Sequence, residues 1–275
     1  KPTLGRIPAY NPSAAVERPP MAQLMSVQGP ICREVADVRL ALSAMAQRDV
    51  RDPWWVPAPL EGPPVAKRVA RAKIPDDLVC DPRVLALADR AADALADAGY
   101  EVVEAEVPDV SGTWQLWCDL ISTEIETLQA TAMRELGSKP FVGALEGILH
   151  MATILDRAGY MQGVADRAGR LRRWLAFLED FPVILTPVTV RPTPAFDADL
   201  KGDAAVREIF WNDLRFVGAI SVLGLPVAVT PAGLLDGRPV GVQLVGSRYR
   251  EDVCLEAAAA IEARVGVLAK ELWAR

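Results

Sequence analysis

A chain of 275 residues with 51% hydrophobic and 24% charged residues has the composition of a folded protein with a sizeable core. Its net charge of −6, spread without any basic run, gives nucleic acid no electrostatic footprint. No apolar stretch reaches the roughly 18 residues of a membrane span, the opening residues form no signal peptide, and the single histidine, His150, excludes metal sites or relays built on several His within this chain.

The first thirty residues are rich in Pro and small residues and read as irregular structure. Val35, Val38, Leu42 and Met45 then recur at helical spacing. Between Asp49 and Pro64, Pro53, Pro57, Pro59, Pro63 and Pro64 surround Trp54-Trp55, which predicts an ordered but non-repetitive surface loop. Arg68-Val69-Ala70 reads as a short strand. Asp81 suits a helix N-cap, Pro82 the first helical position and Gly99 the C-terminal cap. Val84, Leu87, Ala88, Ala91 and Leu95 form the apolar face between them, and residues 101–107 follow as a β-branched strand. This β-α-β pattern predicts parallel pairing and an α/β class.

Residues 113–180 read as three or four helices, broken at Gly137-Ser138-Lys139-Pro140 and near Gly159. Trp114 and Trp117 share a helix face, a spacing that favours core packing. Arg33 and Asp37 are spaced as a structural ion pair, and Arg172-Arg173 as solvated charges. Val183–Pro187 is a wholly apolar strand stopped by proline. Leu225–Thr230 and Pro239–Val245 are two further strands joined through Asp236-Gly237, and a final helix starts near Glu251-Asp252. Cys32, Cys80, Cys118 and Cys254 form no C-x-x-C pair and read as reduced thiols of a cytoplasmic protein. His150 lacks the G-x-S-x-G turn that would present a serine to it, so it reads as structural or surface.

The order of the motifs resembles the C-terminal portion of amidase-signature enzymes. Lys1-Pro2-Thr3-x-Gly5-Arg6-x-Pro8 is similar to the segment that follows the family's nucleophile. Gly29-Pro30-Ile31-Cys32-Arg33-x-Val35-x-Asp37 and Asp49-x-Arg51-Asp52-Pro53 are similar to the next two. Gly224-Leu225-Pro226, Pro231-x-Gly233, Asp236-Gly237-x-Pro239-Val240-Gly241-Val242-Gln243-Leu244-Val245-Gly246 and Arg250-Glu251-Asp252 resemble the family's C-terminal signature. Five pieces occur in order along the whole chain, with Ser221 standing where most members carry Asn.

The resemblance implies an α/β fold in which a mixed, mostly parallel sheet is flanked by helices, incomplete in this chain. Residues 1–275 would then be the C-terminal portion of a single amidase-like domain, with a mainly helical insertion at about 113–180. It implies hydrolysis of a carboxamide through an acyl-serine, using a Ser-Ser-Lys triad that precedes the Lys-Pro-Thr segment. A serine needs a base to become nucleophilic, and its oxyanion needs fixed donors. No glycine- and serine-rich loop of that kind occurs in this sequence. The catalytic set is therefore expected in an N-terminal portion, of the same polypeptide or a companion chain, and this chain alone is expected to be inactive. No metal or organic cofactor, nucleic acid or membrane is implied; a small amide is the substrate, and a homodimer stays open.

Substrate contact is carried over to Thr186, Pro187 and Thr189 after the apolar strand, to Trp211 and Asp213, and to Ser221. Each has a plainer reading: proline ending a strand, Trp211 packed on a helix face, and Ser221 bonded to backbone. Two other functions stay open: a catalytically inactive binding or scaffold subunit, and an amidase-like subunit of an amidotransferase.

Overall fold

The computed structural model describes residues 1–13 and 15–273. Its centre is a five-stranded sheet in the order β2-β1-β3-β5-β4. The strands are β1 (Arg68–Ala72), β2 (Glu101–Ala105), β3 (Val183–Pro187), β4 (Val227–Leu235) and β5 (Arg238–Gly246). β1 pairs in parallel with both β2 and β3, while β5 runs antiparallel to β3 and β4, so β5 alone opposes the common direction.

The β-α-β unit forms as its local signals require. α3 (Pro82–Asp97) starts at Asp81, whose side chain accepts from the Arg83 amide, and buries Val84, Leu87, Ala88, Ala91 and Leu95. Each such Val or Leu contributes roughly 1.5–3 kcal/mol on burial. Strand alternation then separates two cores. Val183, Leu185, Val242 and Leu244 face α3 and α10 (Glu251–Val265), with α2 (Val35–Met45) outside them. Ile184, Val245 and Val227 face the helices of the other layer.

That second layer contains α1 (Pro20–Met25), α4 (Val110–Leu128), α7 (Arg157–Asp180) and α9 (Arg215–Leu223). α5 (Ala130–Leu136), α6 (Lys139–Leu149) and α8 (Asp203–Arg207) extend it, and α11 (Leu268–Trp273) follows α10. α4 meets α9 closely because Gly218 has no side chain: a Cβ there would lie 1.7 Å from Cζ3 of Trp114. Trp114 is buried and stacks on Trp117 with centroids 4.7 Å apart. The β4–β5 hairpin turns through Asp236 (φ +50°) and Gly237 (φ +76°), two left-handed residues that suit the twist of the flanking strands.

Several expectations shift. The irregular opening contains α1, the helical block starts at Val110, and β4 continues past Thr230 to Leu235 across a bulge between Pro231 and Gly233. The break expected near Gly159 falls earlier, where Asp156 caps α7. Arg33 precedes α2 instead of lying on it, so it does not pair with Asp37; its guanidinium sits 3.7 Å from the Trp273 ring centre. His150 is exposed, with its Nδ1 2.7 Å from Asp203. Among the described residues, no helix is long and apolar enough to cross a membrane.

Candidate functional site

The six residues expected to touch substrate fall at two ends of the structure. At the C-terminal end of β3, the buried Thr186 donates its hydroxyl to the Pro187 carbonyl (2.9 Å), and Thr189 donates to the Arg191 carbonyl (2.8 Å). Val188 N–H donates to Gly241, and the Val190 carbonyl accepts from Asp81 N–H, so both sides of this loop are held. Arg191 reaches from it to Asp213 through two bonds, 2.7 and 3.0 Å, and also to Glu208. Its bonds to Asp213, and then to Glu208, keep this guanidinium charged.

Asp213 is only 4% exposed and takes a third bond from Asn212 Nδ2 at 3.0 Å. Asn212 in turn bonds both main-chain groups of Val79, at 2.8 and 2.9 Å. Trp211 lies beside the buried Arg215, whose guanidinium is 4.9 Å from the ring centre and also bonds Asp77 and Ser111. Glu208–Asp213 is a π-helical turn, a local widening common at functional positions. Chemically, this end joins loops. Its hydroxyls donate to carbonyls and its carboxylate is paired with Arg191 and bonded by Asn212, so no nucleophile here has a base in contact.

Ser221 lies at the other end, on the last turn of α9, with its hydroxyl donating to the Val217 carbonyl at 2.8 Å. β4 begins six residues later. The surroundings are cationic. Lys1 Nζ donates to the Leu225 carbonyl (2.6 Å), and Arg167 donates to the carbonyls of Val222 (2.6 Å) and Leu24 (3.4 Å). Burial pushes the Lys1 ammonium down to about 7. Burial, with Arg248 nearby, also lowers Arg167. Neither forms an ion pair with a carboxylate among the described residues. Sequence reasoning did not single out Lys1 or Arg167 as site residues, because nothing in their spacing announces a cation held by carbonyls.

Two hollows flank α1 and β4. One, of about 390 Å³, runs along the outer edge of β4 between Lys1, Val35, Leu42, Val227, Val229 and Leu255. Lys1 and Val227 exchange main-chain hydrogen bonds (2.9 and 2.7 Å), the pattern of an antiparallel pair. Beyond that bridge Val229 is 57% exposed, and the Gln243 Nε2 beside it is buried without a partner among the described residues. The other hollow, about 340 Å³, lies between α1, α4 and α7, lined in part by Pro20, Glu124, Leu128, Leu155 and Tyr160. Glu124 is buried and accepts from the Met21 and Ala22 amides and from the Tyr160 hydroxyl. Burial and that bond to Glu124 raise the Tyr160 phenol above its ordinary range. No group of three or more His, Cys, Asp or Glu placed to hold a metal occurs among the described residues.

Comparison with known proteins places this arrangement. The family model described as Amidase matches residues 1–255. The indoleacetamide hydrolase of Bradyrhizobium diazoefficiens is 55% identical over 99% of this chain and 52% of its own length. A glutamyl-tRNA(Gln) amidotransferase subunit from Bartonella bacilliformis is 28% identical over 99% of this chain and 60% of its own. The solved 6-aminohexanoate cyclic dimer hydrolase shares the fold, with a TM-score of 0.72 at 21% identity, covering 98% of this chain and 60% of that one. The chain thus spans about half the length of the indoleacetamide hydrolase it matches.

Proposed function

This chain belongs to the amidase family, and on that premise we propose that it supplies the scaffold and substrate-pocket wall of a carboxamide hydrolase acting on arylacetamides such as indoleacetamide. The observation that carries this reading is the 55% identity to an indoleacetamide hydrolase along nearly the whole chain. The nucleophilic serine, its partner serine and the lysine belong to an N-terminal portion that pairs along β4. The Lys1–Val227 bridge, the exposed Val229 and the unpartnered Gln243 amide support that assignment.

In this reading the serine attacks the amide carbon, its proton passes to the amide nitrogen, the C–N bond breaks to release ammonia, and water then splits the acyl-serine to the carboxylate and free serine. Ser221 and the carbonyl-held Lys1 and Arg167 line the approach from α9. Thr186, Pro187, Thr189, Trp211 and Asp213 form the pocket wall at the other end, where Thr186 bonds Pro187, Thr189 bonds Arg191, and Asp213 is held by Arg191 and Asn212. The lower identity to the amidotransferase protein supports a shared scaffold, with hydrolysis as the activity.

The test incubates the natural polypeptide that contains residues 1–275 with indole-3-acetamide and measures ammonia and indole-3-acetate. Equimolar release is expected, and none from residues 1–275 alone. No hydrolysis of this or any simple carboxamide by the natural polypeptide would overturn the reading.

A further inference from the structure

The hollow between α1, α4 and α7 contains one chemical feature that the amidase reading leaves unused. Its walls are largely apolar, from Pro20, Leu128 and Leu155, and its volume of about 340 Å³ falls within the range of small-molecule pockets, roughly 300–1,000 Å³. Into this space opens Glu124, only 5% exposed and without a cationic partner among the described residues. Its Oε1 accepts from Met21 N–H at 2.7 Å and Tyr160 O–H at 2.5 Å, which fills that oxygen. Among the described residues its Oε2 accepts only the longer bond from Ala22 N–H, 3.2 Å, and retains a free lone pair.

A buried carboxylate oxygen gains from one more donor. The surroundings select which donor. Asp156 and Arg157 stand side by side in the cavity lining, both exposed and of opposite sign, so the rim has no net charge, and the apolar walls favour an uncharged ring. We propose that this cavity holds the aromatic ring of the substrate and that Glu124 Oε2 accepts a hydrogen bond from a ring N–H. The assignment rests on the arylacetamide reading and deepens it: Glu124 selects nitrogen-bearing rings such as indole over rings of the same shape without the donor.

The position suits the reaction. α1 is a wall of the cavity through Pro20, and its Leu24 carbonyl accepts from Arg167, which also holds the Val222 carbonyl next to Ser221. Arg167 thus ties the α1 wall of the cavity to the backbone beside Ser221, and the acetamide arm of the proposed ligand lies along that side of α1. Glu124 itself fixes the two α1 amides, so the same carboxylate positions the wall and reads the ligand.

The experiment compares kcat/KM of the natural full-length polypeptide for indole-3-acetamide, 1-methylindole-3-acetamide and benzofuran-3-acetamide. A preference of about tenfold or more for the N–H ring is expected, carried by KM, since a site that hydrogen-bonds a donor rejects analogues lacking it. Glu124→Gln is expected to collapse the indole-to-benzofuran ratio toward one. Thr127→Trp, at the exposed cavity mouth, is expected to lower the ratio of indole-3-acetamide to propionamide hydrolysis. Because each readout is a ratio, a general loss of folded protein does not mimic it. Equal kcat/KM for all three aryl amides overturns the proposal and leaves the hydrolase reading standing. Cleavage of propionamide without cleavage of indole-3-acetamide does the same. If no amide is cleaved, the hydrolase reading fails, and calorimetric titration with uncleaved indole-3-acetamide decides the cavity. Binding at least tenfold tighter than for the N-methyl compound supports it, and equal or absent binding overturns it.

Discussion

Strands β2 and β4 both end the sheet, and their edges carry opposite chemistry. Along β2 the exposed positions are Glu101 and Glu104, on opposite faces of the sheet and each directly opposite an arginine of β1, with Arg68–Glu101 at 3.2 Å and Arg71–Glu104 at 2.7 Å. Lys73–Glu106 extends the row at 3.4 Å. Charge along an edge discourages pairing with another chain. β4 has no such row. Val227 turns its main-chain groups outward to Lys1, and by alternation Val229 and Pro231 turn theirs outward too, with valine side chains and no charge between them. The bulge at Pro231 and the missing N–H of that proline stop the ladder at one end. The contrast is between an edge lined with ion pairs and an edge that already holds one antiparallel bridge and carries no charge, and the proposed pairing of an N-terminal portion along β4 uses the second.

The strongest way to break the contrast is to release the segment that holds the start of β4. Residues 1–6 are fixed by Glu251, which accepts from Thr3 N–H (2.8 Å) and from Arg6 through Nη2 (2.8 Å) and Nε (3.1 Å), all of them buried. Removing one partner of such a pair strands the other charge, at a cost of about 3–5 kcal/mol. Glu251→Ala is expected to lower urea-unfolding stability by that amount. Replacement by Gln, which keeps the acceptor, is expected to cost less. A change under 1 kcal/mol for Glu251→Ala would show that residues 1–6 are not anchored as described.

A smaller effect sharpens the comparison directly. Val229→Lys places a charge on the exposed middle of β4. In residues 1–275 alone this surface change is expected to stay within about 0.5 kcal/mol. If the proposed companion strand covers the position in the natural polypeptide, about 1–3 kcal/mol is expected there from burying the ammonium stem without a partner. Equal small effects in both would mean that β4 faces water in the whole protein as well.

How much of this was legible in sequence followed the range of the interactions. The β1-α3-β2 unit was readable because Asp81, Pro82 and the apolar stripe from Val84 to Leu95 act within a few turns of one another. The Asp236-Gly237 hairpin was readable because its two left-handed residues sit in one dipeptide. The candidate site was less so. Arg191 pairs with Asp213 across 22 residues, and Asn212 with Val79 across 133, separations at which no periodic signal survives. Arg33 had a local partner in Asp37 by spacing, yet its ring contact with Trp273 comes from the far end of the chain. Glu124 has no local sequence signal, since only the docking of α1 and Tyr160 gives its oxygens their donors. Ser221 and Thr186 looked alike as pocket candidates, and the sheet sends them to opposite ends because α9 runs back along it before β4 begins.

The smallest expected effect tests the other edge. Glu101→Gln and Glu104→Gln keep the shape of the β2 row and remove its charge. Both glutamates are more than half exposed, at 63% and 56% of their side chains, so solvent screens the pairs and each contributes roughly 0.2–1 kcal/mol at most. The double substitution is therefore expected to shift urea-unfolding stability by less than about 1 kcal/mol, and the shift should fade at 1 M salt, where the screening length falls to about 3 Å. Solubility is the sharper readout. If charge keeps β2 single, the neutral variant should self-associate in analytical ultracentrifugation at low salt while the folded monomer changes little. A neutral β2 that stays monomeric would mean that twist and side-chain bulk guard this edge, and the difference from β4 would then rest on the valines alone.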